Sequence, residues 1–212
     1  MDQIIPLFKV LMNKDMAKGL VDTINSGFVG QGPRVKEFEQ RLFERYMNKK
    51  CLTLSSGTHG LTLCLDIQGI SLGDEIISSP LTCFATNAPI LNCGAKIKWA
   101  DIDPETLNIS PDSIRKNITN ETKGIFMVHW GGMPCELEEI RKIALENDLF
   151  VMEDGAHCSS SFYKGFPIGS CSHSDYCIHS YQAIKGLTTG DGGALFLRSE
   201  EDYEKAKLRR CF

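Results

Sequence analysis

Residues 176–193 have the sequence Tyr-Cys-Ile-His-Ser-Tyr-Gln-Ala-Ile-Lys-Gly-Leu-Thr-Thr-Gly-Asp-Gly-Gly, and the rest of the chain is organised around them. Residues 176–179 form an alternating, partly apolar run that predicts a buried strand, and the apolar run 194–197 predicts another. Between them, residues 190–193 predict a tight turn, because glycine adopts backbone angles that other residues avoid. A lone lysine, Lys185, therefore lies between two buried strands, with the Ser180 hydroxyl five residues before it.

Two interpretations of Lys185 are open from this stretch alone. A desolvated lysine amine is free to attack carbonyl groups, and Lys185 would then be a Schiff-base residue. Alternatively, Lys185 is a surface lysine whose aliphatic stem covers apolar neighbours.

The composition is that of an ordinary globular protein. The chain has 212 residues, of which 42% are hydrophobic and 24% charged, which is enough for one well-buried domain. A net charge of -4 without a basic run argues against nucleic-acid binding. No run approaches the ~18 apolar residues of a membrane span, and the N-terminus lacks the pattern of a secretion signal. We expect a cytoplasmic protein that contacts neither a membrane nor nucleic acid.

Nine cysteines are scattered along the chain without C-x-x-C pairs. An odd number without an export signal favours reduced thiols in the cytosol. Cys171, His173, Cys177 and His179 have the wrong spacing for a zinc site, and strand alternation would place only some of them on one face. We therefore expect no metal site.

Strands alternate with helices from residue 51 onward. An amphipathic helix over 13–26, capped by Asn13, and a second one after Pro33 precede this part. Strands are predicted at 51–54, 75–79, 96–100, 124–128 and 149–153. They are separated by a helix that follows the turn 55–60 and runs to Gly69, by helices at 82–92 and 135–147, and by one that starts with a cap and an N1 proline at Ser110-Pro111; a last helix is predicted at 199–210. Such alternation predicts an α/β fold with a mainly parallel sheet covered on both faces. We expect a helical arm at 1–50 and one α/β domain at 51–212.

Three further polar stretches follow predicted strands, and ligands of open α/β sheets gather at the carboxyl ends of the strands. Ser56-Gly57-Thr58 opens a helix, where free N–H groups suit a phosphate, although a plain capped turn explains the same residues. Glu153-Asp154 is either a solvated turn or a place where Asp154 faces a cation. His129 ends strand 124–128 and is expected to be a structural hydrogen-bonding group.

The polar stretches at the strand ends and Lys185, taken together, indicate a function more specifically than any one of them does. A phosphate-binding turn, a carboxylate and an amine, in that chain order, are the requirements of a pyridoxal phosphate site. Lys185 would form the Schiff base, Asp154 would keep the pyridine nitrogen protonated, and the turn at Thr58 would hold the phosphate. We therefore predict pyridoxal 5'-phosphate as the cofactor.

Ordered motifs through almost the whole chain resemble one family. They are Ser26-Gly-Phe-Val-Gly-Gln-Gly-Pro33, Ser56-Gly-Thr-His-Gly60, Gly73-Asp-Glu-Ile-Ile77 with Pro80, Thr82 to Thr86, Asp101-Ile-Asp-Pro104, Leu107-Asn-Ile109, Val128-His129, Glu153-Asp154-x-Ala-His157 and Ser180-x4-Lys185-x-Leu-Thr-Thr-Gly-Asp-Gly-Gly193. In these residues the chain is similar to the DegT/DnrJ/EryC1/StrS group of pyridoxal phosphate-dependent sugar aminotransferases. The resemblance implies the large domain of a fold-type I aminotransferase, with a mainly parallel mixed sheet, helices on both faces and a helical N-terminal arm.

The resemblance also implies roles for individual residues. Lys185 would be the Schiff-base lysine and the acid/base that moves the substrate proton, and Asp154 would pair with the pyridine nitrogen. His157 would lie near the phenolic oxygen of the cofactor. The residues implied to hold the phosphate are Gly57, Thr58 and Ser180.

One cofactor position departs from the family pattern. Cys83 stands where the family usually has an aromatic side chain that stacks on the pyridine ring, and Phe84 comes one place later. A thiol gives less stacking contact but keeps a polarizable surface.

The implied reaction moves an amino group from glutamate to a keto nucleotide sugar, most simply of the 4-keto-6-deoxy type, and yields an amino sugar for polysaccharide or glycan synthesis. The family builds each site from two subunits, which implies a homodimer. Lys185 argues against the dehydratase branch, which has histidine there, and the Ser180-x4-Lys185 pattern argues against desulfuration or elimination.

Family members continue beyond the equivalent of residue 212 into a smaller C-terminal domain. We therefore expect a shortened chain, one half of a split gene, or a remnant. The alternative function is a cofactor-binding or dimerising protein without turnover.

Overall fold

The computed structural model of the chain describes residues 5, 6, 8–10 and 14–210, without the side chain of Lys14. The helix cap expected at Asn13 lies outside the described residues. Helices in the described part are α1 (Lys14–Ser26), α2 (Pro33–Tyr46), α3 (Gly57–Ile67), α4 (Phe84–Asn92), α5 (Pro111–Asn117), α6 (Leu137–Glu146) and α7 (Glu200–Arg209), with a 3-10 turn at Trp130–Gly132. The strands are β1 (Cys51–Leu54), β2 (Glu75–Ser78), β3 (Lys96–Trp99), β4 (Thr122–Val128), β5 (Phe150–Asp154), β6 (Phe162–Tyr163), β7 (Phe166–Pro167), β8 (Tyr176–Ser180) and β9 (Gly193–Leu197).

Seven of these strands form one mixed sheet in the order β1-β9-β8-β5-β4-β2-β3. β9 is antiparallel to both of its neighbours, β8 and β1, and the other pairings are parallel. The register places Val128 beside Asp154, Asp154 beside Ile178, and Ser180 beside Gly193. The carboxyl ends of β4, β5 and β8 therefore meet at one edge.

The core has two halves, one on each face of the sheet. One half includes buried side chains of α2, α5 and α6, and the other includes those of α3, α4 and α7. Consecutive strand residues alternate between them, as Val151 and Met152 do on β5. This arrangement confirms the predicted α/β fold with helices on both faces.

Local sequence explains where three of the described helices begin. Ser56, Ser110 and Ser199 each accept a hydrogen bond from the backbone N–H three residues on, which caps α3, α5 and α7. The cap and N1 proline predicted at Ser110-Pro111 are confirmed. α4 begins two residues later than predicted, because Cys83 has extended backbone angles and serves as its N-cap.

The hairpin β6–β7 was not predicted from the sequence. Its strands have two residues each, which is too short for any alternation to appear. Lys164 and Gly165 both have positive φ in the turn between them.

α2 packs on β1, and its Leu42 and Tyr46 are buried in the core. The domain division at residue 50 stays a prediction. Within the described ranges, no helix combines the length and apolar character needed to cross a membrane.

Candidate active site

A cavity of about 380 Å³ lies at the carboxyl ends of the parallel strands. Its wall includes every residue that the sequence nominated for the cofactor site. These residues are Gly57, Thr58, Cys83, Asp154, His157, Ser180 and Lys185. The fold thus brings together groups that lie up to 128 positions apart in the sequence, between Gly57 and Lys185.

One wall of the cavity is the N-terminus of α3, which packs directly on the sheet. A Cβ atom on Gly57 would lie 3.2 Å from Ile178 Cδ1 and 3.3 Å from Ser180 Cβ. A Cβ atom on Gly193 would lie only 2.4 Å from the Gly57 backbone nitrogen. Because the Gly57 and Thr58 N–H groups belong to the first helical turn, no helical carbonyl satisfies them. This wall can accept an anion.

The side chains of Glu153 and Asp154, at the end of β5, lie on opposite faces of the sheet. Asp154 lines the cavity and is only 6% exposed, so the solvated turn considered from the sequence is wrong. Its Oδ2 accepts a hydrogen bond from Thr86 Oγ1 at 2.7 Å, and its Oδ1 accepts one from the Ala156 N–H at 3.0 Å. Both oxygens of the Asp154 side chain are therefore held in place at the cavity wall by hydrogen-bond donors.

Glu153 instead belongs to a buried network behind the site. Its carboxylate meets His129 Nε2 at 2.8 Å and also accepts a hydrogen bond from Ser174. The His129 Nδ1 accepts the backbone N–H of Cys135 at 3.1 Å, and its Nε2–H donates to Glu153. His129 is therefore a buried hydrogen-bonding residue, as the sequence predicted.

Lys185 is half-buried in the cavity wall. Its loop is held by its own backbone: the Lys185 N–H donates to Gln182 O at 2.9 Å, and the Thr189 N–H donates to Tyr181 O at 3.0 Å. Among the described residues, no carboxylate forms an ion pair with its ammonium group. The amine is therefore available to a molecule in the cavity.

His157 lies at the rim of the same cavity. Burial and the nearby positive charge of Lys185 hold its pKa below the ordinary value, against the opposing effect of Asp154. Its ring packs edge-on against Trp130, with centroids 6.0 Å apart. His157 is therefore a neutral hydrogen-bonding group at neutral pH.

The α4 wall places Cys83 at the cavity and leaves Phe84 outside it. Cys83 is exposed and lines the cavity, whereas Phe84 is 71% exposed and is not part of the wall. The neighbouring phenylalanine does not replace an aromatic ring at this position.

Several cavity residues were not identified from the sequence. They include Thr86, Trp130, Gln182 and Asp191. The spacing of Thr82 and Thr86, one helical turn apart, was a usable signal for two hydroxyls on one face.

The cysteine and histidine residues between 171 and 179 do not form a cluster of metal ligands. His179 Nε2 instead donates to the Ile168 carbonyl at 2.9 Å, and His173 Nδ1 lies 2.8 Å from Ser172 Oγ. In the described part of the chain, no group of three or more potential ligands is placed to hold a metal ion.

Solved structures define the class of protein. AtS13 from Actinomadura melliaura matches with a TM-score of 0.93 at 40% identity, over 99% of this chain and 57% of that one. The sugar aminotransferase CalS13 from Micromonospora echinospora matches with a TM-score of 0.92 at 36% identity, over 98% of this chain and 57% of that one. The putative sugar aminotransferase Spr1654 from Streptococcus pneumoniae matches with a TM-score of 0.89 at 28% identity, over 96% of this chain and 55% of that one. The fold is that of the fold-type I aminotransferases.

The family follows from the sequence match. The model of the DegT/DnrJ/EryC1/StrS aminotransferase family matches residues 11–212, and the chain belongs to this family. It is 39% identical to the uncharacterized protein MJ1066 of Methanocaldococcus jannaschii, over 99% of this chain and 54% of that protein. It is 37% identical to the spore coat polysaccharide biosynthesis protein SpsC of Bacillus subtilis, over 96% of this chain and 52% of that protein. The chain spans about half the length of these curated relatives.

Proposed function

We propose that this chain binds pyridoxal phosphate in the cavity and takes part in moving an amino group to a keto sugar. The observation that carries the proposal is the convergence of the α3 N-terminus, Asp154 and Lys185 on one cavity of about 380 Å³. An anion site, a buried carboxylate and an unpaired amine are the three protein groups that this cofactor needs.

The residues present fit the cofactor. Gly57 lets the N-terminus of α3 approach Ser180 so closely that a Cβ atom there would lie 3.3 Å from Ser180 Cβ, and Gly57, Thr58 and Ser180 all line the cavity. Asp154 accepts only two hydrogen bonds from the described residues, and a carboxylate has about four acceptor sites. Further support comes from Spr1654, whose structures include a PLP form and a PMP form.

Each residue has a definite task in this proposal. Bound pyridoxal phosphate supplies an electron-accepting ring on which an amino group is exchanged. Asp154 holds the proton on the ring nitrogen, and the first turn of α3 with Ser180 binds the phosphate. Lys185 would hold the cofactor through its Nζ and would carry the substrate proton.

Two other residues act at the edges of the ring. We assign His157 as a neutral hydrogen-bonding partner of the phenolic oxygen. Cys83 would lie beside a face of the ring and would give it less contact than an aromatic side chain.

The amino acceptor is a keto nucleotide sugar, of the 4-keto-6-deoxy type in the simplest case, and glutamate is the amino donor. SpsC is named for spore coat polysaccharide synthesis and CalS13 is a sugar aminotransferase, which supports an amino sugar made for a polysaccharide or glycan. We place the protein in the cytoplasm as a homodimer, consistent with the exposed apolar side chains of α1.

The test is a titration of the full chain with pyridoxal phosphate. Wild type should gain a visible absorbance band and, after borohydride reduction, carry a mass addition on the peptide that contains Lys185. Lys185→Ala should lose both signals. Lys164→Ala is the control, because Lys164 is an exposed lysine paired with Glu138.

Adding glutamate to the loaded protein separates the two candidate functions. Loss of the visible band on adding glutamate supports amino transfer. An unchanged band indicates a chain that holds the cofactor without turnover. A band of equal strength in wild type and Lys185→Ala contradicts the assignment of Lys185.

A further inference from the structure

Two threonines of the cavity wall form a hydroxyl chain that ends on Asp154. Thr86 Oγ1 lies 2.7 Å from Asp154 Oδ2 and 2.7 Å from Thr82 Oγ1. Thr86 and Asp154 are buried, whereas Thr82 is half-buried at the cavity. Both threonines line the cavity itself.

The direction of these hydrogen bonds follows from the number of protons. An ionised carboxylate has none to give, so Thr86 donates its only hydroxyl proton to Asp154. Thr86 must then accept from Thr82, which becomes the first donor of the chain. Hydrogen bonds that end on a charged group are short and strong, and each donor polarises the next.

Thr86 is itself rigidly placed. The next residue, Asn87, accepts a hydrogen bond from Ser78 Oγ at 2.7 Å and donates to Ser79 O at 3.1 Å. Both bonds are buried and fasten α4 to the carboxyl end of β2. The Thr86 hydroxyl is therefore held at a fixed place beside the end of β5.

The two hydrogen bonds to Asp154 come from different elements. The Ala156 N–H fixes Oδ1 from the turn after β5, and Thr86 fixes Oδ2 from α4. With both oxygens held, the plane of the carboxylate cannot rotate, and its remaining acceptor sites face a ligand in the cavity.

We propose that Thr86 is a positioning residue that fixes the Asp154 carboxylate for the protonated ring nitrogen of the cofactor, with Thr82 supporting it. This inference rests on the proposed function, because it concerns how Asp154 meets pyridoxal phosphate.

The experiment compares Thr86→Val, which keeps the side-chain shape and removes the hydroxyl, with Thr86→Ser, which keeps the hydroxyl. We expect Thr86→Val to bind pyridoxal phosphate ~10-fold more weakly or worse, as expected for a lost hydrogen bond to a charged group. The visible spectrum of its bound cofactor should also change with pH over a different range from that of wild type. Thr86→Ser should restore the wild-type affinity and pH titration, and Thr82→Val should have a smaller effect.

Thr119→Val is the matched control. The Thr119 hydroxyl donates to Glu75 Oε2 at the same distance of 2.7 Å, but it lies at the amino end of β2, away from the cavity. Circular dichroism and thermal unfolding check that all variants are folded. Thr119→Val should lower stability without changing the spectrum of the bound cofactor.

The outcomes separate the two proposals. If wild type binds no pyridoxal phosphate, the proposed function is wrong and this inference fails with it. If wild type binds and Thr86→Val matches it in affinity and pH titration, only the role of Thr86 is overturned. A shift in Thr86→Ser as large as that in Thr86→Val also overturns it, because the hydroxyl would not be the cause. Should Thr86→Val fail to fold, the titrations of Thr86→Ser and Thr82→Val decide.

Discussion

At the scale of single residues, the partners of a buried histidine decide the direction in which its pKa shifts. His179 and His129 lie next to the same core, yet their partners differ. His129 meets the Glu153 carboxylate, whereas His179 donates to the Ile168 carbonyl and packs against the rings of Tyr46 and Phe196. Burial lowers the pKa of His179 from 6.5 to about 4, although the carbonyl of Ile168 and the Glu153 charge oppose the shift.

The His179 environment predicts a pH-dependent stability. The folded chain resists protonation of His179 while the unfolded chain does not, so stability is full above the unfolded pKa of 6.5 and falls as the pH drops toward about 4. Between pH 7 and pH 5 this residue should account for a loss of about 2 kcal/mol in the free energy of unfolding.

The prediction is checked by urea unfolding of wild type and His179→Phe at both pH values. The variant should show a smaller decrease between them, whatever its stability at pH 7. Neighbouring groups that act on His179 are Glu153, His129 and Arg45, and they are unchanged in the variant. An equal decrease in both proteins would contradict the assignment.

At the scale of elements, the site depends on how closely α3 packs against β9. The turn that we propose to bind the phosphate is placed by the contact between the N-terminus of α3 and the start of β9 at Gly193. The atoms that a Gly193 side chain would meet are backbone atoms of Ser56 and Gly57, which cannot rotate away.

Gly193→Ala should therefore displace the N-terminus of α3. We expect a loss of about 2 kcal/mol in the free energy of unfolding, the usual order for overpacking against a rigid neighbour. Binding of pyridoxal phosphate should weaken as well, because the N–H groups of Gly57 and Thr58 move. Thermal unfolding and a cofactor titration measure the two effects.

Gly30→Ala is the control for that change. A Cβ atom on Gly30 would meet nothing within 4 Å, and the loop is exposed. This variant should keep the stability and cofactor affinity of wild type. Equal effects of the two substitutions would show that the close approach at Gly193 does not matter.

At the scale of the whole molecule, α1 exposes most of its described side chains to solvent. Leu20, Val21 and Ile24 are 64%, 54% and 65% exposed, and the following loop exposes Phe28 and Val29 at 57% and 73%. A continuous apolar surface of this kind is typical of an interface. It agrees with the homodimer in the proposed function.

The dimer prediction is tested by sedimentation equilibrium. Wild type should sediment as a dimer, and the double variant Leu20→Glu, Ile24→Glu should shift to monomer, because charged side chains would have to be buried between subunits. Asp22→Lys is the control and should remain dimeric, because residues one or two positions apart on a helix do not face the same side, and Asp22 stands in that relation to Leu20, Val21 and Ile24. A monomeric wild type, or a double variant that stays dimeric, would reject this interface.

Much of the fold and of the candidate site could be predicted from the sequence, because the signals that decide them are local. Serine caps, the N1 proline at Pro111, glycine turns and apolar periodicity act over a few residues. They predicted the order of the main strands and helices along the chain, but not the order of the strands across the sheet. The chain order of Thr58, Asp154 and Lys185 also gave the cofactor hypothesis, since strand ends of an α/β sheet converge. The hairpin β6–β7 was missed because its two-residue strands carry no periodicity.

Tertiary structure decided which side each group faces and what it meets. Glu153 and Asp154 are adjacent in the sequence, and only the register of β5 between β4 and β8 assigns one to a buried network and the other to the cavity. Thr86 and Asp154 are 68 residues apart, and their hydrogen bond exists only because Asn87 fastens α4 to β2. Periodicity along a chain describes the local surroundings of a residue, whereas contacts between distant segments depend on how the sheet is assembled.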